Sequence, residues 1–93
     1  MEKKFKLYRT LGISIDMDSD TSFAFEIGII FHQFINDDWG TLCKEDCEIN
    51  EQAKRDGGRI LGAYETSRGL VYVITDDALA NPKISTVLYA SEY

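Results

Sequence analysis

The sequence predicts an α+β fold: an antiparallel sheet of three to four strands with two helices, in the order β-α-α-β-β-β. Three observations predict it. Residues 5–15 alternate apolar and polar, residues 21–56 hold two stretches compatible with helical spacing, and three short apolar runs separated by turn residues fill the last third. The chain has 93 residues, 44% of them hydrophobic and 12% aromatic, enough to build one modest core without metals or disulfides. A single domain over residues 1–93 is expected.

In residues 5–15, Phe5, Leu7, Leu11, Ile13 and Ile15 occupy odd positions, as in a strand with one buried face, and Gly12 marks a bend. Asp16, Asp18, Asp20, Thr21 and Ser22 break that pattern. They offer N-cap side chains and acids suited to a helix dipole, so a helix is expected from about residue 21 to 35. Its Phe23, Phe25, Ile27, Ile29, Ile30, Phe31, Phe34 and Ile35 spread over more than one face. That predicts a central helix packed on the sheet and covered by the second helix; the other use of such a surface is self-association or a partner.

A turn at Asn36, Asp37, Asp38, Trp39 and Gly40 leads to a second helix over residues 41–56, with Leu42, Ile49 and Ala53 as its narrow buried stripe and Gly57 and Gly58 as its stop. Strands follow at residues 59–65, 70–75 and 84–90. Thr66, Ser67, Arg68 and Gly69 join the first two as an antiparallel hairpin, and Asn81-Pro82 turns the chain before the last. The expected sheet is a three-stranded meander, with the N-terminal strand as a fourth member and the helices on one face.

Charge narrows the function classes. The formal net charge is −6; Lys3, Lys4, Lys6 and Arg9 against Glu2 put the first ten residues at +3, so the rest carries −9. Residues 36–56 contain Asp37, Asp38, Glu45, Asp46, Glu48, Glu51 and Asp56 against Lys44, Lys54 and Arg55. Phosphate neutralisation needs clustered Lys and Arg, so direct binding to nucleic acid or an anionic membrane is disfavoured. A basic protein partner fits, as does a plain role in solubility. No run approaches the roughly 20 apolar residues of a membrane span, and the start lacks an apolar signal core, which predicts a cytoplasmic protein.

Motifs for catalysis or cofactors are weak. Cys43 and Cys47 fall on one side of a helix, but a tetrahedral metal site needs about four ligands and only His32 and carboxylates remain to complete it. Asp16, Asp18 and Asp20 have the spacing that opens a calcium loop, yet Thr21 stands where that loop needs Gly and Ile27 where it needs Glu. Capping explains these acids better. His32 has no nucleophile near it in sequence, and Gly57-Gly58-Arg59 lacks the lysine and hydroxyl of a phosphate loop. No cofactor, metal or enzymatic activity is expected. Trp39, in a polar turn, serves either as a lid on the core or as an interface anchor. Tyr64, Tyr72 and Tyr89 belong to the terminal strands, as sheet packing or as a binding platform.

Taken together, Asp38-Trp39-Gly40, the acidic helix with Asn50, and the strings RILGAYE (59–65), VYVIT (71–75) and TVLYASEY (86–93) resemble a family of small acidic proteins encoded on plasmids, prophages and conjugative elements of Gram-positive bacteria, labelled plasmid-related proteins. The resemblance covers roughly residues 36–93. It departs at residues 76–83, where the family typically carries an acidic-Trp-Asp-Arg turn. It brings no catalytic residues with it. It implies a mobile-element anti-defence protein, foremost an anti-CRISPR inhibitor. In that reading Asp37, Asp38, Glu45, Asp46, Glu48 and Glu51 meet the Lys and Arg of a host CRISPR nuclease or another basic nucleic-acid-binding protein, with Trp39 as anchor. The alternative is a plasmid-maintenance or regulatory module, joined as a homodimer through the aromatic helix.

Overall fold

The computed structural model describes residues 5–93. Strand β1 (Phe5–Arg9) is followed by helices α1 (Leu11–Ser19), α2 (Thr21–Ile35) and α3 (Lys44–Asp56). Strands β2 (Ile60–Thr66), β3 (Gly69–Thr75) and β4 (Lys83–Tyr89) come next, and a 3₁₀ turn at Ala90–Glu92 closes the described chain. The sheet runs in the order β1-β4-β3-β2. As expected, β2, β3 and β4 form an antiparallel meander, but β1 lies parallel to β4, with Phe5 opposite Lys83 and Arg9 opposite Val87. The sheet is therefore mixed, and three helices accompany it where two were predicted.

The extra helix comes from the segment predicted to continue the first strand to residue 15. Alternation stops at Arg9, and the Thr10 side chain caps the backbone N–H of Ile13 at 3.4 Å. Beyond the cap, residues 13 and 17 point inward: Ile13 is fully buried and Met17 packs on the core, whereas Leu11 and Ile15 face solvent. Spacing by four has replaced spacing by two, as helix geometry requires. Asp20 accepts from the N–H of Phe23 at 3.2 Å and starts α2 where expected.

Strand register sorts the side chains onto two faces, because directly opposed residues point the same way. Tyr64, Val71 and Tyr89 form one row, and Tyr89 stacks on Phe23 of α2 at 6.0 Å, so this is the helix-covered face. Ala63, Tyr72 and Leu88 form a row on the other face. There the C-terminal turn folds back and sets Tyr93 edge-on to Tyr72 at 5.7 Å. The core lies between sheet and helices and contains Ile13, Phe23, Ile27, Ile30, Phe34, Val71, Val73 and Val87.

The expectation that α2 would be covered by the next helix is not met. Phe25 and Ile29 on its outer side are 72% and 50% exposed. Helix α3 instead sits at the outer edge of β2, a place set by Asn50. This side chain is 3% exposed and bonds both backbone groups of Leu61. One step further along the edge, Ala63 donates to the Trp39 carbonyl at 3.1 Å and accepts from the Thr41 N–H at 2.8 Å. An edge that could recruit a foreign strand is thus occupied from within.

Candidate functional site

The acidic surface expected from the sequence is built on α3. Glu45 and Asp46 lie in its first turn and Lys54 and Arg55 in its last, the distribution that opposes the helix dipole at both ends. Asn50 and Ala53 are its buried residues and Cys47 packs on the core, so the helix is fixed in roll against β2. Glu45, Asp46 and Glu48 consequently stand at the surface, and no Lys or Arg among the described residues is within ion-pair distance of them.

The remaining predicted contact residues have other duties. Asp37 pairs with Lys54 at 2.5 Å, and Glu51 lies 3.7 Å from the same ammonium. The hydrogen bond from Lys54 to Asp37 is the main reason that this lysine titrates above its ordinary value. Asp38 builds the turn: its carboxylate accepts from Gln33 Nε2 at 2.9 Å and from the N–H of Gly40 at 3.1 Å. Those two bonds, in that order of weight, hold its carboxyl below the usual value. Asp37, Asp38 and Glu51 are thus partly spent on the fold.

Trp39 belongs to the core, with 6% of its surface exposed. Of the two uses expected for it, the structure shows the lid on the core, which leaves little of the side chain exposed. Its backbone is held by Ala63, and Tyr64 Oη donates to the Asp38 carbonyl at 2.7 Å, closing the turn over the sheet. The tyrosine platform also fails, since Tyr64 and Tyr89 face the helices and Tyr72 the opposite side.

An apolar feature that the sequence did not reveal adjoins the acidic ridge. A shallow cleft of about 210 Å³ is lined by Leu42, Asp46, Ile49, Asn50, Arg59 and Leu61. Ile49, predicted to belong to the buried stripe, is 60% exposed at its edge. Arg59 immediately precedes β2, so the cleft could be foreseen only by knowing that α3 lies along that strand. A second cleft, of about 200 Å³, opens beside Trp39, Lys54 and Lys83, with Asp37 on its rim.

The two thiols sit in different surroundings. The Asp46 N–H favours the Cys43 thiolate, but the carboxylates of Asp46 and Glu45 outweigh it and raise the thiol above its ordinary value. Cys47 is half-buried, and its Sγ lies 3.9 Å from the Leu42 carbonyl. Among the described residues, no group of three or more His, Cys, Asp or Glu is placed to hold a metal ion. The three aspartates with calcium-loop spacing are split between α1 and the cap of α2. There Arg68 lies 3.6 Å from Asp16 and 3.3 Å from Asp20. No helix among the described residues is long and apolar enough to cross a membrane. No protein-family model matches the chain, and neither a search of curated proteins nor one of solved structures finds a similar chain.

Proposed function

We propose that this protein is a mobile-element anti-defence protein that binds a basic nucleic-acid-binding protein, foremost a CRISPR nuclease of the host cell, and blocks it without catalysis. The observation that carries the reading is the display of Glu45, Asp46 and Glu48 on a helix whose roll is fixed by Asn50, with no Lys or Arg among the described residues within ion-pair distance of them. Carboxylates held in this way keep their charge for a partner's Lys and Arg and exclude the phosphates those residues would otherwise bind. The cleft beside Asp46 supplies the apolar contact in place of Trp39, because an interface needs a desolvated centre as well as a charged rim. Glu51, Asp37 and Asp38 extend the negative field at the margin.

The test is plasmid or phage interference in a bacterium carrying one defined RNA-guided nuclease, with and without this protein, repeated across CRISPR types. Restored plasmid or phage survival in one type is expected, together with salt-sensitive binding to that nuclease in vitro. The double variant Glu45→Lys/Glu48→Lys weakens binding on the order of tenfold or more. Full interference in every type, with the folded protein present in the cells, would reject the CRISPR reading.

A further inference from the structure

We propose that a second copy of this chain packs on the outer face of α2, the two helices crossing about a two-fold axis at Gly28. This inference rests on α2 alone and is independent of the function proposed for α3.

Gly28 lies at the midpoint of Thr21–Ile35 and faces solvent, and a Cβ built on it would meet nothing within 4 Å. Glycine weakens a helix interior, and here no neighbour among the described residues requires it. It leaves a notch in a ridge otherwise made by Thr21, Phe25, Ile29 and His32. Phe25 and Ile29 project beside that notch, 72% and 50% exposed.

Two features favour a second copy over an unlike partner. A two-fold interface must carry both knob and hole on one surface, and Phe25 and Gly28 are neighbours one turn apart on the same face. The axis through the central glycine lets the backbones approach closely and carries each Phe25 ring across the other copy's Gly28. Charge gives the second reason. Each copy has a net charge of −6, so self-association needs a face without like charges. The one acidic side chain in α2 is Glu26, turned away to bond the N–H of Ser67 at 3.0 Å and the hydroxyl of the same residue. The face carried by Thr21, Phe25, Gly28, Ile29 and His32 is uncharged when His32 is neutral.

Sedimentation equilibrium of the full chain over a range of concentrations tests the proposal. A reversible dimer is expected for the natural sequence. Phe25→Glu and Gly28→Leu should each weaken it on the order of tenfold or more, while leaving the helical circular dichroism intact because neither side chain is enclosed in the monomer. In a Cys43→Ser/Cys47→Ser background, Gly28→Cys should form an intermolecular disulfide on mild oxidation, since residues on a two-fold crossing lie within disulfide reach of their own copies. A natural chain that stays monomeric at every concentration would overturn the proposal and give the face to a different molecule. A dimer unaffected by Phe25→Glu and Gly28→Leu would overturn it too, and place the contact elsewhere.

Discussion

Asn50 completes the edge of β2 by taking both backbone groups of Leu61: its Nδ2 donates to the Leu61 carbonyl at 2.8 Å, and its Oδ1 accepts the Leu61 N–H at 3.2 Å. A single amide thereby imitates a neighbouring strand and ties α3 to the sheet. Asn50→Ala removes two hydrogen bonds and strands two backbone groups against a helix, and should cost about 2–4 kcal/mol. Urea denaturation followed by circular dichroism measures the loss. A cost below about 0.5 kcal/mol, the range of ordinary surface changes, would show that the helix is held by other contacts.

Gly62 clears the ground for Tyr64. A Cβ at residue 62 would sit 2.5 Å from Tyr64 Oη, the hydroxyl that donates to the Asp38 carbonyl. Gly62→Ala should therefore displace the ring and destabilise the protein by about 1–3 kcal/mol, as overpacking generally does. Gly40→Ala should be worse: its Cβ would fall 2.0 Å from the Ala63 carbonyl oxygen, with the backbone at φ +73°. Combining Gly62→Ala with Tyr64→Leu should return part of the loss, and thermal unfolding of the three variants checks that order.

Two groups give the stability a pH dependence of opposite sense. Asp38 titrates below 3.8 in the folded chain, so its contribution is complete above that value and is lost as pH falls through its folded value. Tyr89 is pushed up to about 12 from 10.0, first by burial and then by its hydrogen bond to Asp16. Folding favours the neutral phenol, so that contribution is complete below pH 10.0 and lost between 10.0 and about 12. Asp38→Asn should flatten the acid limb of the stability profile and Tyr89→Phe the alkaline limb. Denaturant midpoints taken from acid to alkaline pH reveal which limb each variant changes.

Cys43 should alkylate more slowly at neutral pH than a cysteine in an unfolded peptide, because the carboxylates of Asp46 and Glu45 disfavour its thiolate. Glu45→Gln/Asp46→Asn should speed the reaction several-fold in the folded protein and leave the rate in urea unchanged. Iodoacetamide labelling read by mass spectrometry separates the two states.

The parts of this fold legible in the sequence are those governed by local pattern. The β2–β3 hairpin, the start of α2 at Asp20 and the stop of α3 at Gly57 each follow from a turn or cap residue within a few positions. Residues 11–15 were misleading because Leu11, Ile13 and Ile15 satisfy the strand period as written, and only the Thr10 cap and the inward pair Ile13 and Met17 disclose a helix. The exposed acids of α3 were readable from composition. The burial of Trp39 was not, because it depends on Ala63 pairing with the turn across 24 positions of chain. Asn50 likewise resembles any polar residue of an acidic helix until Leu61 is placed beside it.

The parallel pairing of Phe5–Arg9 with Lys83–Val87 also makes the sheet depend on contacts far apart in the chain. During synthesis the β2–β3 hairpin can form from neighbours, but β1 has no strand to join until β4 has been made and laid against β3. Joining β1 to β4 brings together residues 78 positions apart, a long-range closure of the kind that slows folding. A chain cut before Lys83 would leave β1 without its partner and β3 with a bare edge, so loss of the last strand should undo the N-terminal part of the sheet as well.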